Sequence, residues 1–140
     1  MGLSEILVHL DVNWALATPA PVEAAMEADV AAPAMVRHLV RPVAGPVLGE
    51  ERLHDVLVSV SEAVANVVHH AYGLDRGRLT VKAWTGAGVL AILVRDQGRG
   101  MPVPASRGLG MTVMRELADG MRVFSMPGAG TAVLLVFRTP

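Results

Sequence analysis

Three polar side chains and two glycine-rich turns are the parts of this sequence that can do chemistry. Glu62 and Asn66 lie in a stretch, residues 56–68, where most other positions are Val, Ala or Leu. Around them Asp55, Ser59, Glu62, Asn66 and His69 or His70 recur at steps of three and four, which lines them along one face of a helix. An ionised carboxylate on so apolar a helix is costly without a partner, so Glu62 calls for a polar cleft, a cation or a proton to hold. The residues alone leave two accounts open: Glu62 and Asn66 satisfy nearby backbone or an arginine, or they work in a site. His69 and His70 read as core or capping histidines near the helix C-terminus.

Asp96 stands where a strand-like run ends, followed by Gly98 and Gly100. A carboxylate there can accept hydrogen bonds from an exocyclic amine, and the glycines let backbone approach a flat ligand closely. Further on, Gly108-Leu109-Gly110 leads straight into a helical pattern. That arrangement offers free N–H groups and the positive end of a helix dipole to phosphate oxygens. Neither turn completes G-x-G-x-x-G, because Val103 and Val113 occupy the last positions, so a dinucleotide-binding fold is disfavoured.

The elements that must position these groups follow from turn signals and periodicity. Residues 5–11 are β-prone, and Pro19 and Pro21 separate them from a second strand at 22–27. Pro33 suits the first turn of a helix expected to run to Arg41, where Pro42, Gly45 and Pro46 end it. Glu50 and Glu51 open a long helix expected to reach Tyr72, with Gly73 as its stop. Strands at 78–84 and 89–95 form a hairpin with a longer loop at 85–88. A helix at 111–117 and a second hairpin, 121–125 with 131–138, complete the order. This sequence of elements predicts an α/β (α+β) two-layer sandwich, a mixed and mostly antiparallel sheet with helices on one face.

Composition narrows the classes. A chain of 140 residues fits one domain and buries roughly 70% of its unfolded surface, so it needs no staple. It has no cysteine, which excludes disulfides, thiol nucleophiles and cysteine-based metal sites. Hydrophobic residues at 52% against 18% charged argue against disorder. The net charge is −1, and Lys82 is the single lysine among twelve cations. A nucleic-acid module concentrates far more positive charge, and a P-loop needs its lysine after a glycine-rich turn rather than in a strand-like run. No apolar run approaches the ~20 residues of a membrane span, and Met1-Gly2-Leu3-Ser4-Glu5 lacks the start of a signal peptide. A cytoplasmic protein without membrane or direct nucleic-acid contact is expected. A mean hydropathy of +0.45 points to apolar surface covered by a homodimer or a docked partner.

Taken in order, E-x-x-x-N on an apolar helix, D-x-G-x-G after a strand, G-x-G before a helix and Gly130-Thr131 opening the last strand form one composite pattern. The chain thereby resembles the GHKL superfamily of ATPases and kinases, which has the Bergerat ATP-binding fold. Within it the pattern is most similar to small bacterial anti-sigma-factor serine/threonine kinases. Residues 61–72 resemble the N box, 96–100 and 108–110 the two glycine boxes, and Leu117-Ala118-Asp119 also fits. The resemblance covers most of 22–138, so residues 22–140 are expected to be the ATP-binding domain and 1–21 an N-terminal extension.

The resemblance implies a role for each matching residue. Asn66 holds Mg²⁺ against the nucleotide phosphates, which is chemically sufficient because magnesium keeps several waters. Glu62 is the general base. Asp96 binds the adenine amino group with help from Thr131, Gly98 and Gly100 shape the adenine pocket, and Gly108, Leu109 and Gly110 meet the phosphates. The implied activity is ATP-dependent phosphorylation of a serine on an anti-anti-sigma (STAS) protein by a kinase that also sequesters a sigma factor. The alternative is an ATP-binding partner-switch module that regulates by protein binding only. The seven residues between the glycine boxes, 101–107, make a shorter lid than several relatives carry.

Overall fold

The computed structural model describes residues 10–71, 77–98, 109–126 and 128–140. Helix α1 (Val12–Ala17) precedes strand β1 (Val22–Glu27), helix α2 (Ala32–Ala44), a 3₁₀ turn (Gly45–Val47) and helix α3 (Glu50–Asn66). A π turn (Val67–Ala71) extends α3 and is followed by β2 (Arg78–Gly86), β3 (Val89–Asp96), α4 (Leu109–Leu117), β4 (Gly120–Met126) and β5 (Gly130–Arg138). The five strands form one sheet in the order β1-β2-β3-β5-β4. The α+β class is as expected, and the sheet expected to be mixed and mostly antiparallel is antiparallel at every described pair.

The two sheet faces explain the apolar runs of β3 and β5. On the inner face Leu79, Val81, Ile92, Val94, Val133 and Leu135 pack against α2, α3 and α4. On the outer face Trp84, Leu93, Ala132, Leu134 and Val136 are buried beneath Val12 and Ala15 of α1. Helices therefore cover both faces rather than one. Strands buried on both sides lose the polar alternation of a half-exposed sheet. Among the described residues no helix is long and apolar enough to cross a membrane.

Several boundaries differ from the sequence expectation for identifiable reasons. The β-prone reading of 5–11 lies mostly outside the described residues, and Asp11 instead caps α1, accepting from the Trp14 N–H at 3.1 Å. Helix α2 continues past Pro42 to Ala44. Val40 and Ala44 are fully buried, so packing of the last turn offsets the backbone bond that proline removes. The long helix is α-helical only to Asn66, where the Val67 N–H is shared between the carbonyls of Ala63 and Val64 as the π turn begins. The expected longer loop of the first hairpin is a two-residue turn, because Thr85 and Gly86 pair with Leu90 and Val89. Ala87 and Gly88 both have positive φ, +53° and +79°, as a type I′ turn requires.

One side-chain cluster ties the start of α3 to the end of α4. The Arg52 guanidinium donates to Asp55 at 3.1 Å, to Asp119 at 2.7 Å and to the Leu117 carbonyl. It also stacks over the Phe137 ring, 5.1 Å from the centroid. Asp119 accepts a second bond from the Arg138 N–H at 2.6 Å. Burial opposes ionisation of Asp119, but the Arg138 backbone bond and the Arg52 guanidinium outweigh it and hold the carboxyl below its ordinary value.

Two expectations follow from these contacts. Ala87→Asn should stabilise the fold by about 1 kcal/mol, since asparagine tolerates the left-handed conformation better than alanine; a thermal melt with no gain would contradict the turn. Arg52→Ala should cost about 1–3 kcal/mol at neutral pH, through lost bonds to charged partners. The stability from Asp119 is complete above the unfolded carboxylate value and is lost as pH falls through its lowered folded value. Urea titrations of wild type and Asp119→Asn should therefore converge in acid and separate at neutral pH.

Candidate functional site

The polar stripe of α3 divides into two halves. In the first, Asp55 is bound to Arg52, and the Ser59 hydroxyl donates to the Asp55 carbonyl at 2.8 Å. Ser61 donates to the Leu57 carbonyl at 2.7 Å and accepts from Arg37 of α2 at 3.0 Å. These groups are consumed within the fold. In the second half, Glu62 and Asn66 sit one turn apart and half-buried, facing the first turn of α4.

Gly110 makes that meeting possible. A Cβ on it would lie 2.8 Å from Glu62 Oε2 and 3.6 Å from Asn66 Oδ1, so only glycine leaves the carboxylate its place. The N-terminal N–H groups of α4 are thereby brought beside a carboxylate and an amide. Asn66 Nδ2 is enclosed and has no hydrogen-bond partner among the described residues. An orphaned amide is expensive, and turning it over places its oxygen at the same spot. The donor set, one amide oxygen beside one carboxylate and a helix N-terminus, fits a hydrated Mg²⁺ carrying phosphate oxygens.

The second cluster forms where β3 ends and β5 begins. Asp96 is 3% exposed, and one of its oxygens, Oδ1, accepts both the Gly98 N–H at 2.9 Å and the Thr131 N–H at 3.2 Å. Both of these bonds go to the same oxygen, and none between Oδ2 and a described residue accompanies them. Gly130 has φ +104°, and a Cβ there would lie 2.3 Å from the Asp96 carbonyl oxygen. Glycine is thus required for β5 to begin against the end of β3. The Thr131 hydroxyl lies 3.2 Å from the Ser125 hydroxyl of β4. Burial pushes the Asp96 carboxyl above its ordinary value, although the bonds from Gly98 and Thr131 and the nearby Arg95 charge work against it.

The structure thus joins Glu62, Asn66 and Gly110 in one cluster and Asp96, Gly98 and Thr131 in another. Leu109 is placed as the first residue of α4. Gly100 and Gly108 lie outside the described residues, as do residues 101–107. His69 is exposed on the π turn. Sequence reasoning missed Ser125, because nothing in its own neighbourhood marks a serine that faces Thr131 across a hairpin. Among the described residues no group of three or more His, Cys, Asp or Glu is arranged to hold a metal ion.

Comparison with known proteins places the chain in a family. Residues 26–137 match the family described as a histidine kinase-like ATPase domain, and the chain belongs to that family. An anti-sigma F factor of Thermoanaerobacter sp. (strain X514) is 35% identical over 97 residues, spanning 59% of this chain and 68% of that protein. The anti-sigma F factor of Clostridium acetobutylicum is 34% identical over 99 residues, 61% of this chain and 69% of that one. The sensor histidine kinase PdtaS of Mycolicibacterium smegmatis is 32% identical over 100 residues, 64% of this chain but 20% of its own length. Among solved structures, the mycobacterial sensor histidine kinase MprB shares the fold with a TM-score of 0.54 at 18% identity, covering 84% of this chain and 98% of that one.

The Asp96 environment gives a paired expectation. A carboxyl raised by burial lends full stability below its unfolded value and loses it as pH rises through the folded value, so at neutral pH the ionised group is a liability. Asp96→Asn keeps an oxygen for Gly98 and Thr131 and removes the charge. It should raise the melting temperature of the ligand-free protein at neutral pH while weakening nucleotide binding, because an amide N–H then faces the ligand amine. A variant that melts lower and binds as well as wild type would contradict this geometry. Gly110→Ala should keep the fold and displace Glu62, lowering activity far more than stability.

Proposed function

We propose that this protein is an ATP-dependent anti-sigma factor and protein serine/threonine kinase. It binds ATP with Mg²⁺, transfers the γ-phosphoryl group to a serine of an anti-anti-sigma (STAS) partner, and sequesters a sigma factor. The observation that carries this reading is the meeting of Glu62 and Asn66 with Gly110 in the first turn of helix α4, together with a buried Asp96 held through one oxygen by Gly98 and Thr131. Family membership and the similarity to proteins named anti-sigma F factors support it. The reading includes a cytoplasmic location and a homodimer.

The proposed mechanism assigns tasks to this chain's own groups. Asp96 Oδ2 accepts the adenine amine, and Thr131, held by Ser125, supplies a hydroxyl at the same edge. The α4 N–H groups and Gly110 receive phosphate oxygens at the helix N-terminus. Asn66 would ligate Mg²⁺, which when bound neutralises phosphate charge. Glu62 takes the proton of the attacking serine hydroxyl as that oxygen bonds to the γ-phosphorus and the bond to the β-phosphate oxygen breaks, leaving ADP. Glu62 stands one helical turn from Asn66, so the base and the phosphates share one side of α3.

Calorimetry with Mg²⁺-ATP and a phosphotransfer assay on a STAS partner test this. Glu62→Gln should retain nucleotide binding and lose about 100-fold or more in phosphotransfer. Asn66→Ala should weaken binding only when Mg²⁺ is present. No wild-type binding at millimolar ATP would sink the reading, and binding without transfer would favour regulation by protein contact alone.

A further inference from the structure

Lys82, the chain's only lysine, is 8% exposed, on the outer sheet face away from Glu62 and Asn66. Its ammonium donates to three carbonyls at the end of α1: Ala15 at 3.3 Å, Leu16 at 3.0 Å and Thr18 at 3.1 Å. Glu23 lies 3.5 Å away. Those carbonyls are among the ones a helix leaves unpaired at its negative end. Three converging acceptors match the three donors of an ammonium, whereas a planar guanidinium fork does not converge on them. Trp84, also on the outer face, donates its indole N–H to the Pro19 carbonyl at 3.0 Å, and its ring lies 5.1 Å from that of Trp14. At the other end, Gly120 makes room for Leu10, whose Cδ2 would be 2.9 Å from a Cβ there.

A six-residue helix does not hold itself together in water, so α1 is ordered by docking. What it docks on is the back of the site: Leu93, Ala132, Leu134 and Val136 belong to the strands whose ends carry Asp96 and Thr131. A cavity of about 360 Å³ is walled by Leu16 and Lys82 and also by Arg95 and Gln97, the residues flanking Asp96.

We propose that Lys82 is a positioning residue that locks residues 10–20 as a strap over the outer sheet face, and that the docked strap holds the ends of β3 and β5 in the geometry that receives the nucleotide. The inference rests on the nucleotide reading above. By linkage, nucleotide must in turn tighten the strap.

The test compares wild type, Lys82→Met and Asp11→Ala, the last loosening α1 by removing its cap without touching the sheet. The chain's two tryptophans both lie at the strap interface, so tryptophan fluorescence reports docking, and hydrogen exchange of residues 10–20 reports it independently. Both variants should show faster strap exchange with exchange in α3 unchanged, and Mg²⁺-ATP affinity weaker by about five-fold or more. ATP should slow strap exchange in wild type but not in Lys82→Met, a response that a merely structural lysine would not remove. A released strap with unchanged ATP affinity, or a strap still docked in Lys82→Met, overturns the proposal. Should Lys82→Met not fold, Asp11→Ala decides by the same readouts. Absence of ATP binding by wild type would overturn the coupling together with the nucleotide reading, while exchange without nucleotide still decides the lock.

Discussion

A nearly buried carboxylate at the end of a strand sets the terms for much of this fold. Asp96 can stay there only with donors, and both come from backbone, Gly98 just beyond it and Thr131 from the last strand. For Thr131 to reach, β5 must begin against the end of β3, closer than any side chain at position 130 permits. That contact fixes the β3–β5 register, and the hairpin then places β4 at the sheet edge. From β4 the chain reaches back through Asp119 to Arg52 and the start of α3. The Asp96 cluster is thus positioned by main chain and two short side chains, which hold their geometry with little rotamer entropy to lose.

Helix α3 serves structure and site in sequence along one face. Its first polar residues are spent on Arg52 and on their own backbone, which anchors the helix to α2 and α4. Its last two, Glu62 and Asn66, face Gly110, where a Cβ would crowd them. The π turn starts at the next residue, and such turns are frequent beside functional residues. Val56, Leu57, Val60, Ala63 and Val64 are buried in the core, so Glu62 and Asn66 stand on a helix anchored by its packed face.

How much of this was legible in the sequence depended on contrast and range. Glu62 and Asn66 stand out because a carboxylate and an amide on an apolar helix need a reason, and Asp96 because glycines at alternate positions follow a strand. The hairpins and the long helix were legible from period and turn residues. Helix α1 was not, because six residues carry too few turns to show a period, and its order comes from Lys82 and Trp84 far along the chain. Pro42 misled because burial of Val40 and Ala44 overrides a local breaker. The tight turn at Ala87-Gly88 was hidden by an alanine in a conformation it rarely adopts. Arg52 and Ser125 were invisible for one reason: their partners, Asp119 and Thr131, are set by topology rather than by sequence pattern.

The distribution of polar satisfaction across the molecule separates the support from the site. Lys82 has three acceptors, and Arg52 and Asp119 share their donors and acceptors fully enough to hold Asp119 ionised. Asn66 and Asp96 are the exceptions, one with an orphaned amide nitrogen and one raised by burial with an oxygen left over. Native folds rarely leave such groups incomplete, and where they do the cost is tolerated because something else completes them. The two shortfalls differ in kind: an amide turned over offers an oxygen to a cation, and a carboxylate oxygen accepts an amine. The proposed nucleotide would answer both, with a cation-binding anionic end for the first and an amine-bearing flat end for the second.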